Sequence, residues 1–198
     1  MKKEYDIVYR EERKDWATVP RISIDNILWE QDCGIRAYGQ LCYDRENLYV
    51  HLWAEEKHIR AEYSAPLSPV HKDSCLEFFF IPDGGDRYFN FECNPNGCLH
   101  IGFGYNRSTR VVLFRRDAEE LFEIQTERTS DGWEVFYRIP LIFLRIFYPN
   151  LTFSGTIRAN LYKCGDDTPQ AHYLSWNPVT SDAPDFHRPE DFGIMKFT

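Results

Sequence analysis

Ser74-Cys75-Leu76-Glu77-Phe78-Phe79-Phe80-Ile81, then Pro82-Asp83-Gly84-Gly85-Asp86, then Arg87-Tyr88-Phe89-Asn90-Phe91-Glu92-Cys93: this stretch decides the fold class. Two aromatic-rich runs too short for helices flank a Pro-Asp-Gly-Gly turn, which is the pattern of a β-hairpin. On the second run, alternation sends Phe89, Phe91 and Cys93 to one face and Tyr88, Asn90 and Glu92 to the other. Glu77 interrupts the apolar first run, and pairing across the turn brings it near Asn90 or Glu92.

The same reading extends outward. Residues 34–43 and 48–54 form another hairpin across Asp44-Arg45-Glu46-Asn47, with Leu48, Val50, Leu52 and Ala54 on one face. Tyr49, His51 and Trp53 fall on the other face, a semi-polar surface suited to a ligand. Further strands are predicted at 99–103, 110–115, 121–127, 132–139 and 153–163, with two more around Tyr173 and Ile194, and a short helical turn within 141–148 after Pro140. The expectation is an all-β chain, a two-sheet antiparallel β-sandwich or flattened barrel with minor helical turns, as one domain over 1–198. The loop Ser175–Gly193 holds three prolines, yet it also carries Trp176, Phe186 and Phe192 and is predicted to be ordered over the sandwich.

Composition narrows the partners. The formal net charge of −8 argues against nucleic acid or an anionic membrane, both of which demand clustered Lys and Arg. Aromatic residues make up 16% of the chain, an excess that needs a use. The N-terminus shows no apolar segment of a signal peptide, so a cytoplasmic location is expected as the sequence stands, and an extracellular one if a leader has been removed. Six cysteines are read as free thiols, and Cys93 with Cys98 lacks the spacing of a metal cluster, so no metal ligand is assigned. Oligomeric state stays open.

Two strands offer polar rows: Tyr88, Asn90 and Glu92 on one, Arg158, Asn160 and Tyr162 on the other. The plain reading is the solvated outer face of a sheet. Solvated faces favour Lys, Glu and Thr, however, whereas amides, carboxylates, guanidinium and flat rings together grip neutral polyols. No GxSxG, P-loop or HExxH is present, so no catalytic residue is assigned.

Taken in order, His71-Lys72-Asp73-Ser74-Cys75-Leu76-Glu77-Phe78-Phe79, Tyr88 to Gly97, Trp133-Glu134-Val135 with Ile139-Pro140, and Phe186-His187-Arg188-Pro189-Glu190-Asp191-Phe192-Gly193 resemble carbohydrate-binding module family 9. The closer likeness is to its stand-alone bacterial members, from about Ile35 onward. The resemblance implies a DOMON-like, jelly-roll type sandwich that binds a sugar or glycan end without catalysis, by aromatic stacking and hydroxyl hydrogen bonds. It places the stacking aromatic of the final loop at Phe186 and its counterpart near His71, where a histidine replaces a larger ring; Trp53 or Trp176 then becomes a substitute. It places the hydroxyl-binding glutamate at Glu77 and the next polar pair at Asn90 and Glu92, with Arg158 compensating for a family arginine that Asn90 replaces. Structural calcium is common in the family, but no complete ligand set matches: Asp83, Asp86 and Asp131 read equally as turn residues, and no cofactor is assigned. Two alternatives stay open: a haem-binding domain on the same scaffold, and a carboxylate-dependent glycoside-processing enzyme built on Glu77 and Glu92.

Overall fold

The central hairpin forms as its pattern requires. In the computed structural model, which describes residues 2–11 and 15–198, Glu77 stands directly opposite Glu92 and Phe79 opposite Asn90. In chain order the strands are β1 (Glu4–Tyr9), β2 (Ile22–Ile24), β3 (Asn26–Ile27), β4 (Arg36–Tyr43), β5 (Asn47–Glu55), β6 (Cys75–Ile81), β7 (Tyr88–Cys93), β8 (Leu99–Gly104), β9 (Val111–Leu113), β10 (Gln125–Arg128), β11 (Gly132–Pro140), β12 (Thr156–Cys164), β13 (Tyr173–Ser175) and β14 (Gly193–Phe197). The helices are α1 (Ala118–Phe122) and α2 (Leu141–Leu144).

They make two leaves of one curled sheet. The first runs β10-β11-β5-β4 and the second β14-β12-β6-β7-β8-β9. β1 stitches them: Glu4 to Ile7 run parallel to Ile194–Phe197, and Val8 and Tyr9 then cross to Cys42 and Tyr43 of the other leaf. The expected sandwich is therefore present, with two parallel pairings among otherwise antiparallel ones. Alternation of Tyr5 and Ile7, buried, with Glu4 and Asp6, exposed, explains why this N-terminal stretch is a strand.

Leu48, Val50, Leu52 and Ala54 meet Leu76, Phe78, Phe80, Phe89 and Phe91 between the leaves. Most of the aromatic excess goes here: Phe89 alone packs its ring against Phe80, Phe103, Phe143 and Phe147. Each such ring buries about 150–250 Å², so these contacts supply much of the core. One expected strand is corrected. Residues 121–127 divide between α1 and β10, because Ala118-Glu119-Glu120-Leu121-Phe122 are good helix formers that bury Phe122, and Glu123 ends the turn at φ +47.

The far side of the second leaf is covered as well. Cys75, Phe79, Ile81, Tyr88, Tyr162, Cys164, Phe186 and Phe192 form a second apolar cluster there. The polar rows are consequently not a solvated surface: Glu77, Asn90, Glu92 and Asn160 are all buried. Loop 176–192 is fastened over them by Asn160, whose amide donates to the Asn177 carbonyl at 3.0 Å and accepts from the Asn177 N–H at 2.8 Å.

Candidate functional site

Where this covering stays open, a cleft of about 90 Å³ remains between loop 176–192, residues 107–110 and the β6-β7-β12 wall. Glu77 and Glu92 lie at its base, and His71, Arg107, Arg110, Asp166, Asp185 and His187 surround them. Trp29, Tyr173 and Phe186 supply its aromatic side.

The base is electrostatically unusual. Glu92 accepts from the Asn90 amide at 2.8 Å and Glu77 from the Cys164 thiol at 3.1 Å. Burial, followed by the neighbouring Glu92 carboxylate, pushes the Glu77 carboxyl well above its ordinary 4.5. Burial also raises Glu92, against the pull of His71 and Arg110. The carboxyl pair thus favours a bound proton, which gives it both donor and acceptor character toward a hydroxyl-bearing ligand. Asn90 itself lies across Gly102 so closely that any Cβ there would overlap its amide, so Gly102 keeps this pair in place.

Donors converge from above. The Arg110 Nε is buried without a hydrogen-bond partner, while its Nη1 donates to the Arg107 carbonyl at 2.6 Å. Arg107 approaches Asp185 only to 4.0 Å. Burial and the two arginines pull His187 down to about 3, so its ring is neutral. The Tyr88 hydroxyl lies 2.8 Å from His187 Nδ1, a hydrogen bond whose direction follows the tautomer of the neutral ring.

Trp29 is the cleft aromatic that sequence reasoning missed. Its backbone sits at φ +56, an outlier for so bulky a residue, within a tight turn closed by Glu30 N–H to Leu28 O at 2.6 Å. Its indole N–H donates to the Ser181 carbonyl at 2.7 Å, and Tyr173 and Phe186 flank its ring, each at 5.5 Å. Only the apolar patch Ile27-Leu28-Trp29 before a polar turn marks it in the sequence.

The expected site residues divide. His71, Glu77, Glu92 and Phe186 do line the cleft, and Asn90 supports it from behind. Phe186, however, is only 8% exposed: its ring stacks on Tyr162 at 4.1 Å, and Trp29 packs against it at a tilt of 38°. Tyr162 serves as that ring's backing and donates to the Phe186 carbonyl at 3.1 Å. Four further candidates, like Tyr162, lie outside the cleft lining. Arg158 donates to the Gly85 carbonyl at 2.6 Å and is not among the residues that line the cleft, where Arg107 and Arg110 are the guanidinium groups. Asn160 is a loop fastener, and Trp176 is buried in the main core, where Gly193 leaves room for its ring. Trp53 lies on the outer face of the first leaf, stacked between Tyr38 at 5.3 Å and His51 at 4.7 Å. The semi-polar face predicted for 48–54 is real but does not reach the cleft.

A wider hollow of about 1040 Å³ beside Glu56 and His172 has less chemistry to offer. Its buried groups satisfy one another: Glu56 accepts from Trp133 and Ser74, and Lys163 donates to His172 at 2.7 Å while pairing with Glu56 at 3.2 Å. That is a closed structural network. Asp83 accepts from the Gly85 N–H in its own turn, and no three carboxylates converge among the described residues, which leaves the calcium expectation without a carboxylate cage.

The carboxyl pair carries a pH signature. Folded-state values above the ordinary 4.5 mean stability present below about pH 4.5 and lost as pH rises through the raised value. Glu92→Gln mimics the protonated form and keeps an oxygen for Asn90. We expect melting midpoints equal to the parent near pH 4 and higher near pH 7, by roughly 1–3 kcal/mol, at ~2–4 °C per kcal/mol. A variant less stable than the parent at pH 7 would show that the Glu92 charge is compensated.

A polar floor of buried carboxyls beneath a tryptophan wall, on a two-leaf β scaffold, suits a hydroxyl-bearing ligand, and the class is that of carbohydrate-binding proteins. The chain belongs to carbohydrate-binding family 9, whose family model matches residues 10–197. Among solved structures it is similar to a putative carbohydrate-binding protein from Bacteroides uniformis, 24% identical over 100% of both chains with a TM-score of 0.87. It is also similar to a carbohydrate binding module family 9 from Caldicellulosiruptor kristjanssonii solved with glucose, 15% identical over 99% of this chain and 96% of that one, TM-score 0.70. The same module with cellotriose gives 15% identity over 98% and 93%, TM-score 0.70. At these identities the likenesses speak to the fold. A search of curated proteins returned no match.

Proposed function

We propose that the cleft holds one terminal sugar unit of a small saccharide. Its capacity of about 90 Å³ lies well below the roughly 300 Å³ at which pockets for drug-sized ligands begin, so a chain end suits it better than a long internal segment. Trp29 supplies the apolar wall for a sugar ring face. Glu77 and Glu92 exchange hydrogen bonds with hydroxyls at the floor, and Arg110 donates from above beside the neutral His187 ring. The observation that carries this reading is the unpartnered, buried Arg110 Nε beside two buried carboxyls under an aromatic wall.

Glucose and cellotriose, the ligands in the Caldicellulosiruptor structures, make glucose-ended saccharides the first to test. Isothermal titration of a saccharide panel is expected to give saturable heat for at least one member, weakened about tenfold or more in Arg110→Met, which keeps the stem and removes the donors. A panel without heat would overturn the reading.

The enzymatic alternative is less well supported. Glu77 and Glu92 project from adjacent strands of one wall, onto the same side of any bound ring, whereas glycoside cleavage uses carboxyls that flank the scissile bond. For haem, Met195 is buried between the leaves while His71 and His187 line the cleft, so no His–Met pair shares a cavity among the described residues. The DOMON-like placement and a saccharide, rather than nucleic acid or a membrane, as partner belong to this same proposal.

A further inference from the structure

Beneath the cleft floor, β6 and β12 bring three metal-ligating groups to one point. Cys75 and Glu77 lie two residues apart on the same face of β6, and Cys164 stands directly opposite Cys75 on β12. Their ligand atoms all lie within 4.8 Å of one another, with Cys164 Sγ 3.1 Å from Glu77 Oε1. Tetrahedral zinc, with bonds of roughly 2.3 Å to sulfur and 2.1 Å to oxygen, needs ligand atoms roughly 3.5–3.8 Å apart. The 3.1 Å between Cys164 and Glu77 and the 4.8 Å limit on the other separations bracket that spacing. Among the described residues this is the one group of three that meets the spacing.

We propose that Cys75, Glu77 and Cys164 bind a zinc ion, with its fourth position open toward the cleft. The chemistry of the donors selects the metal, because thiolates favour soft or borderline ions and reject calcium and magnesium. All three groups are buried and anchored on strands, which fixes their directions. Glu77 has no ion-pair partner among the described residues and stands opposite Glu92, so a dication takes the place of the proton that this pair otherwise holds. Glu77 and Cys164 also border the cleft, so water or a ligand hydroxyl completes the coordination.

Binding displaces the thiol protons of Cys75 and Cys164 to solvent, together with the proton that the Glu77–Glu92 pair otherwise holds.

The test uses the full chain without sugar, so its outcome is independent of saccharide binding. Zinc is added to chelator-stripped protein, excess is dialysed away, and bound metal is measured by elemental analysis; cobalt(II) replaces zinc for spectroscopy. The expected result is one ion per chain and, with cobalt, a thiolate-to-metal charge-transfer band. Both should vanish in Cys75→Ser/Cys164→Ser, weaken at least tenfold in Glu77→Gln and persist in Cys33→Ser. The cobalt spectrum of the unaltered protein decides the matter even if a variant fails to fold. Metal at background, unchanged metal in the double variant, or Cys75 and Cys164 found joined as a disulfide in freshly isolated protein would each overturn the site.

Discussion

Phe186→Ala is expected to destabilise the protein by about 3–5 kcal/mol, the usual cost of emptying a buried phenylalanine site, and to lower the melting midpoint by roughly 10 °C. The ring is 8% exposed and stacks on Tyr162 at 4.1 Å with an interplanar angle of 11°. Its backbone carbonyl receives the Tyr162 hydroxyl, so the loop and β12 are joined at this point by packing and by a hydrogen bond. Removing the ring leaves a void beneath Trp29 and the cleft loses one support. Thermal melts of parent and variant check this directly. An unchanged midpoint with lost saccharide binding would instead make Phe186 the ligand-facing ring that the family resemblance implies.

Trp29→Ala is expected to show the opposite profile. A half-buried cleft ring that covers one face of a ligand is worth about 2 kcal/mol, or roughly thirtyfold in Kd, and the fold should survive its loss. The backbone supplies a control. Alanine at φ +56 remains strained, whereas glycine is at ease there, so Trp29→Gly should match Trp29→Ala in weakened binding yet exceed it in stability by about 1 kcal/mol. Titration and melting of the two variants test this pair of expectations. Equal binding by parent and Trp29→Ala would remove Trp29 from the site.

These two residues show what sequence patterning reaches. Period-two alternation located the core faces of β5, β6 and β7 and paired Glu77 with the Asn90–Glu92 region, because strand geometry alone dictates those facts. The same rule, applied to Glu4-Tyr5-Asp6-Ile7, would have found β1, but parallel pairing with β14 and β4 is a long-range event without a local mark. Alternation assigns a face and cannot say what covers it. Hence Tyr162 and Asn160 were offered to a ligand when a loop from residues 176–192 already occupied them, and Trp53 was offered from the uncovered face of the other leaf. Trp29 escaped because its position depends on a strained turn and on a hydrogen bond to Ser181, 152 residues away. Arg110 escaped for a related reason: only the folded chain brings its guanidinium over Glu92.

Sugar recognition is assigned to the Trp29 cleft. A crystal structure of the protein with the saccharide that gives the largest titration heat tests it most directly. The predicted result is a single sugar ring against Trp29, with hydroxyls in hydrogen-bond contact with Glu77 or Glu92 and with Arg110. A sugar seated instead on the Tyr38–Trp53 face of the first leaf, with the cleft empty, would contradict it.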